Sequence, residues 1–153
     1  MTYESIRRML DEIYEEQMAL RRLTAAYHAD LEVDQRLTST YNATGVKRAF
    51  TGDSAVLRAL CRQDEQKERI LKEIDRLNDQ IDQKWGIIEQ LVKNDERGRF
   101  LLWMRFMDGR SLKQISAVTF QTPRTTQRKI RETILNMAEA SKCMKSRRID
   151  NVS

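Results

Sequence analysis

Apolar side chains recur at helical spacing through two long stretches of the first 95 residues. In residues 3–36 they fall every three or four positions, as on one face of an amphipathic helix, and no proline or glycine interrupts them. The same spacing runs through residues 54–93, after Asp53 and Ser54, either of which suits a helix N-cap. Residues 37–53 are rich in Thr, Ser, Asn and Gly, which predicts a loop. The apolar stripe of the first helix consists of Ile6, Leu10, Ile13, Leu20, Leu23, Tyr27 and Leu31.

The second predicted helix carries a heptad seam, the pattern typical of coiled coils. Three further apolar residues, Ile70, Leu77 and Leu91, widen this stripe beyond two positions per heptad. A wide stripe favours an antiparallel hairpin of the two long helices over a simple two-stranded zipper, and a second chain could add to the bundle as a homodimer. The seam consists of Leu57, Leu60, Leu71, Ile74, Ile81, Trp85, Ile88 and Val92, with the polar residues Asp64, Lys67 and Asn78 on the same line.

Three shorter helices are predicted in residues 96–140. The first holds a dense apolar run, residues 100–106, and ends at Asp108 and Gly109, where glycine suits the left-handed position that follows a helix. Ser111 then suits the N-cap of a short second helix. The side chains of that helix expected to face inward are Leu112, Ile115 and Val118 or Ala117.

The third of these helices is predicted over about residues 123–139. Thr122 offers a capping hydroxyl, and Pro123 suits the first helical position, where no N–H is needed. A basic tail, residues 141–153, follows. The side chains expected to pack inward from this helix are Thr126, Ile130, Thr133, Ile134 and Met137.

The chain is therefore predicted to be all-α, with a division of roles near residue 95. Residues 1–95 would form a coiled-coil-like hairpin for oligomerisation or partner binding, and residues 96–140 a helix-turn-helix DNA-binding domain. Charge supports this division. Residues 1–95 carry 15 Lys and Arg against 18 Asp and Glu, whereas residues 96–153 carry 13 against 5. A basic half beside a mildly acidic half indicates that the second half meets a polyanion.

The outward face of the third short helix has the side chains of a helix that reads the major groove. Arginine can bond bidentately to guanine and glutamine to adenine, so Arg124, Gln127 and Arg128 are the leading candidates for base contacts. Lys113 and Arg110 are expected to contact the DNA backbone. The complete predicted DNA-binding set is Arg110, Lys113, Thr122, Arg124, Thr125, Gln127, Arg128, Lys129 and Arg131.

The segments LLWMRFMDGRSLKQIS and TPRTTQRKIRETIL resemble region 4 of bacterial sigma factors. With the long N-terminal helices, the chain as a whole looks like the small phage-encoded transcriptional regulators of the ArpU/RinA type. That resemblance implies a phage or prophage activator of late genes, acting in the cytoplasm of a bacterial host, with double-stranded DNA and host RNA polymerase as partners. Thr119 and Phe120 depart from the Leu-Gly that the family often has here, which predicts a differently shaped turn. The residues that fit the pattern are Leu101, Leu102, Met104, Arg105, Phe106, Gly109, Ser111, Ile115, Ser116, Thr122, Thr125 and Ile130.

Two other classes of protein fit the same layout. A small terminase-like DNA-packaging subunit also joins a helix-turn-helix to oligomerising helices, and a structural adaptor would need only the helices. The first-half helices could contact RNA polymerase, form a dimer or merely position the DNA-binding helix. An enzyme is not expected, because the sequence offers neither a phosphate-cradling glycine loop nor a credible nucleophile or general base.

Neither metal nor cofactor is expected, and no membrane partner. Cys61 and Cys143, with His28 as the one histidine, cannot assemble a four-ligand zinc site and are expected to be reduced thiols. The longest apolar run, FLLWM, has five residues, far short of the roughly 20 that span a bilayer. A cluster of carboxylates, interspersed with lysine and arginine, is expected to form solvated ion pairs: Glu73, Asp75, Asp79 and Asp82.

Overall fold

The computed structural model describes the backbone of residues 1–43 and 53–150 and the side chains of residues 1–32 and 61–143. Within these ranges the chain is all-helical and has no strand, which confirms the predicted fold class. The elements, in chain order, are α1 (Tyr3–Ala43), α2 (Asp53–Leu91), α3 (Glu96–Leu102), a π-helical turn (Trp103–Met107), α4 (Leu112–Thr119) and α5 (Pro123–Asp150).

Two helices are longer than their sequence patterns predicted. α1 continues to Ala43, so the first part of the predicted loop at 37–53 is helical. Its Thr, Ser and Asn residues have only moderately unfavourable helix propensities, and the first glycine comes at Gly45. The rest of that predicted loop, up to residue 52, lies outside the described residues. α5 continues to Asp150, so most of the predicted tail at 141–153 is also helical.

The chain divides into two compact units, and both long helices contribute to each. Unit 1 consists of residues 1–18 and 79–153, and unit 2 of residues 19–78. The predicted boundary near residue 95 separates two proposed roles, oligomerisation or partner binding before it and DNA binding after it, and that division stays a prediction. By packing, the first turns of α1 and the end of α2 belong with the C-terminal helices.

In unit 2, the side chains of α2 that are buried differ in part from those of the predicted heptad seam. Leu77 is only 6% exposed and Ile70 is half-buried, whereas Leu71 is 41% exposed and Asn78 is exposed. The predicted seam is therefore wrong at Leu71 and Asn78. Turning the helix so that Leu77 is buried in place of Asn78 removes apolar surface from water and leaves the amide solvated.

Unit 1 has a core to which all five helices and the π-helical turn contribute. From α1, the side chains of Ile6, Leu10 and Ile13 are completely buried, as the stripe of that helix predicted. The other buried apolar residues of unit 1 are Ile81, Trp85, Ile88, Val92, Leu101, Leu102, Met104, Phe106, Ile115, Ile130, Ile134, Met137 and Ala138. The C-terminal helices therefore share one hydrophobic core with residues 1–18.

Charged side chains tie α1 to α2 within unit 1. Lys84 Nζ donates to Glu16 Oε1 at 2.6 Å and forms an ion pair with Glu12 at 2.9 Å. Burial lowers the pKa of Lys84, but the hydrogen bonds to the two glutamates outweigh that effect, so its pKa lies above the ordinary value. Lys84 is therefore held in its charged form at this junction.

Two cation–π contacts tie α1 to the π-helical turn. The Arg7 guanidinium lies 6.0 Å from the centre of the Phe106 ring, and the Arg105 guanidinium lies 5.7 Å from that of Tyr14. Phe106 is buried and Tyr14 is half-buried, so the Arg7 contact lies at the edge of the unit 1 core. The first turns of α1 are in this way held against the segment that leads to α4.

Candidate nucleic-acid interface

The N-terminus of α3 fixes the position of α5. Asp95 is the N-cap of α3: its Oδ1 accepts a hydrogen bond from the N–H of Gly98 at 2.8 Å, and Thr133 Oγ1 in α5 lies 3.4 Å from its Oδ2. Gly98 is buried at this crossing, and a Cβ added there would lie 2.6 Å from Thr133 Oγ1, well inside van der Waals contact. Only glycine lets α3 and α5 approach this closely.

The segment between α3 and α4 is shaped by the π-helical turn. The Asp108 N–H donates to the carbonyl of Trp103, a five-residue step, and Gly109, two residues after the turn, has φ 70°. The predicted left-handed glycine is confirmed. Arg105 Nη1 then donates to the carbonyl of Arg110 at 3.0 Å, which holds the chain where it enters α4.

α4 begins at the predicted cap but presents a different inner face. Ser111 forms a capping box with Gln114, which confirms the predicted start. Ile115 is completely buried and Leu112 is half-buried, as expected, whereas Val118 is 48% exposed and Ala117 is exposed. The expectation that Val118 or Ala117 faces inward is therefore wrong.

Ser116 takes the inward place on α4 because it is small and its hydroxyl has a local partner. It is 5% exposed, and its Oγ donates to the carbonyl of Lys113 at 2.9 Å. A buried hydroxyl that is hydrogen-bonded within its own helix carries no unsatisfied polar group into the core. This lets α4 pack closely on α5.

The turn between α4 and α5 has a left-handed residue that is not glycine. Phe120 has φ 53° and ψ 41°, and the N–H groups of Phe120 and Gln121 both donate to the carbonyl of Ser116. The bond from Gln121 and the left-handed residue before it form a Schellman motif. The side chain of Phe120 is 97% exposed. The predicted change of turn shape is therefore wrong in this respect: phenylalanine adopts the conformation in which glycine is usual.

α5 starts and packs as its sequence predicted. The hydroxyl of Thr122 accepts from the N–H of Thr125 at 3.2 Å, and the helix begins at Pro123. The five side chains predicted to face inward are at most 6% exposed: Thr126, Ile130, Thr133, Ile134 and Met137.

Three arginines lie together on the outer face of α5. Arg124, Arg128 and Arg131 are separated by steps of four and three residues and are all exposed, so they form one basic stripe. Gln127 is exposed beside it. Leu135, 43% exposed, continues the same face and had not been expected there.

The other predicted DNA-binding residues differ in how far their side chains are exposed. Lys113 and Thr122 are exposed, whereas Arg110 and Thr125 are half-buried. Arg110 Nε donates to Asp108 Oδ2 at 2.8 Å, so its charge is partly offset. Thr125 shares a hydrogen bond with the capping hydroxyl of Thr122.

Lys129 faces a groove on another side of α5, away from the arginine stripe. The groove has a volume of about 360 Å³ and runs between the start of α3, the α4–α5 turn and α5, with Phe100, Gln121 and Asn136 among its walls. Gln121 Oε1 is buried and has no protein hydrogen-bond partner. Lys129 therefore belongs to this groove and not to the exposed stripe.

One acidic residue lies beside the stripe. Glu132 Oε1 lies 3.5 Å from Arg128 Nε, and both side chains are more than half exposed. A pair with this exposure contributes little to stability, because water and salt screen it. Arg128 can therefore exchange this partner for a stronger anion such as a phosphate or a guanine edge.

Over the side chains that the structure describes, no group of three or more His, Cys, Asp or Glu could hold a metal ion. Glu73 pairs with Arg76, as expected of the carboxylate cluster, and the hydrogen bond from Arg76 lowers the pKa of Glu73. Cys61 and Cys143 are free thiols. Among the described helices, none is long and apolar enough to cross a membrane.

No protein-family model matches this chain, and the searches of curated proteins and of solved structures found no significant match.

Proposed function

We propose that the chain is a sequence-specific DNA-binding protein that places α5 in the major groove of double-stranded DNA. The observation that carries the proposal is the exposed face of α5, where Arg124, Gln127, Arg128 and Arg131 project from the first turns after a capped N-terminus. Arginine and glutamine at these positions can read guanine and adenine edges, and the N-terminus of the helix favours approach to phosphate.

The elements that pack against α5 and hold it in place fit the same role. α4 is short, begins at a capping box and joins α5 through a three-residue connection, residues 120–122. The inner face of α5 is buried down to Met137, so the arginine stripe has a fixed backbone behind it. A rigid helix lets the side chains meet base edges without a large loss of conformational entropy on binding.

The biological role we propose is transcription regulation, as an activator of late genes in a phage or prophage within the bacterial cytoplasm. Its support is the sequence resemblance to sigma region 4 and to ArpU/RinA-type regulators. Host RNA polymerase would be the second partner, and the long helices α1 and α2 would contact it or form a homodimer. Transcription in vitro from a captured binding site, with and without the protein, tests this role.

DNA binding is tested by selecting duplexes from a random pool with the full-length protein and measuring affinity for the selected sequence. Replacing Arg124 or Arg128 by alanine should cost about 1–3 kcal/mol if that residue reads a guanine. The matched control is Arg69→Ala, which removes the same charge from an exposed site on α2 in unit 2. Affinity unchanged by Arg124→Ala and Arg128→Ala would remove α5 from the interface, and a pool that yields no enriched sequence would contradict sequence-specific binding.

A further inference from the structure

Phe120 occupies a position for which neither the turn nor the core requires phenylalanine. The two hydrogen bonds to the carbonyl of Ser116 require a left-handed backbone at residue 120, but glycine adopts that conformation without steric cost. A phenylalanine at φ 53° carries backbone strain that a glycine would not.

Burial does not compensate for that strain. The side chain is 97% exposed, so its ring removes almost no apolar surface from water when the chain folds. By comparison Phe100, the other largely exposed phenylalanine among the described side chains, is 52% exposed and forms part of the wall of a groove. Phe120 therefore contributes strain and exposed apolar surface to the folded state, with no packing in return.

The surroundings of Phe120 favour DNA as the molecule that covers it. It lies two residues before Thr122, the N-cap of the helix whose first turns expose Arg124, Gln127 and Arg128. These basic groups are complementary to a polyanion. When the first turns of a helix enter the major groove, a side chain just before the N-cap is brought to the groove as well.

In the major groove, the apolar group available to a phenylalanine ring is the 5-methyl group of thymine. We propose that Phe120 is a specificity-determining residue that contacts a thymine methyl group at one edge of the bound site. The proposal rests on the proposed function, since it needs α5 in the major groove. It assigns to the strained turn a contact that the arginine stripe cannot make, because guanidinium groups recognise hydrogen-bond acceptors and not methyl groups.

The test uses the full-length protein and the duplex selected from the random pool, with each thymine replaced in turn by deoxyuracil, which lacks only the methyl group. Wild-type protein should lose about 3- to 10-fold in affinity at one or two thymines, the effect of removing one buried methyl contact. Phe120→Ala should bind the thymine duplex as weakly as wild type binds that uracil duplex, and should be insensitive to the replacement. Phe120→Leu, which keeps an apolar side chain, should retain part of the thymine preference.

The matched control is Phe100→Ala, which removes the same ring from an exposed site on α3 and should leave the thymine preference of wild type unchanged. Thermal unfolding of each variant shows that it is folded, and Phe120→Gly should be at least as stable as wild type. The contact is overturned if no uracil replacement weakens wild type, or if Phe120→Ala loses affinity equally for both duplexes. Absence of binding to any duplex at about 50 mM salt would overturn the proposed function itself and the contact with it.

Discussion

Replacing Gly98 by alanine should destabilise unit 1, although alanine is the better helix former. The added Cβ would lie 2.6 Å from Thr133 Oγ1 and closer still to the carboxylate of Asp95. Separating α3 from α5 to make room costs about 1–3 kcal/mol, and displacing the Asp95 cap costs about another 1 kcal/mol. The helix propensity of alanine returns at most about 1 kcal/mol. The net expectation is a loss of about 1–3 kcal/mol.

Gly86→Ala is the matched control, because it is the same substitution inside a helix of the same unit. A Cβ at Gly86 meets no atom within 4 Å, so only the helix propensity changes. We expect Gly86→Ala to stabilise by about 0.5–1 kcal/mol, the opposite sign.

Thermal unfolding followed by circular dichroism separates the two variants. For a chain of this size Gly98→Ala should lower Tm by roughly 2–12 °C, whereas Gly86→Ala should raise it by a few degrees. Thr133→Ala should lower the free energy of unfolding less in the Gly98→Ala background than in wild type. In that background the substitution also removes Thr133 Oγ1, one of the atoms that clash with the added Cβ. The close crossing of α3 and α5 is refuted if Gly98→Ala is as stable as wild type or more so.

Three further changes test other contacts. Lys84→Met leaves the partly buried carboxylate of Glu16 without its cation, so urea denaturation should show that the free energy of unfolding falls by about 1–2 kcal/mol. An unchanged urea midpoint would contradict a structural role for this ion pair. Glu132→Gln removes a negative charge 3.5 Å from Arg128 and should strengthen DNA binding about 2- to 5-fold at low salt, whereas weaker binding would place Glu132 itself in contact with a base. Phe120→Gly relieves the left-handed strain and should raise the free energy of unfolding by about 1 kcal/mol, and a lower value would show that the ring has a packing partner.

Local signals in the sequence predicted α5 well. The Thr122–Pro123 start and the inward spacing from Thr126 to Met137 depend on capping chemistry and helical period, and both can be read from neighbouring residues. The exposure of Arg124, Gln127 and Arg128 follows from the same period. DNA binding by these residues stays a prediction.

Features that depend on contacts between distant segments were not predictable. The period of α1 indicated that Ile6, Leu10 and Ile13 face a core, but not that this core belongs to the C-terminal helices. The closeness of α3 and α5 at Gly98 and the burial of Ser116 in place of Val118 likewise require the three-dimensional arrangement. The one signal in the sequence that could have indicated these two close contacts is a small residue inside a helix, Gly98 in α3 and Ser116 in α4.

The most direct test of the central proposal is the ratio of affinities for the selected duplex and a scrambled duplex of equal length, measured by fluorescence anisotropy at several salt concentrations. For wild type we expect a ratio of about 10³ or more at physiological salt, with log K falling by about 0.9 per phosphate contact for each tenfold rise in salt. The variant carrying both Arg124→Ala and Arg128→Ala should lose most of that ratio, whereas Arg69→Ala should retain it. A wild-type ratio near one would contradict sequence-specific recognition by α5, and a large ratio that survives both substitutions would move recognition to another part of the chain.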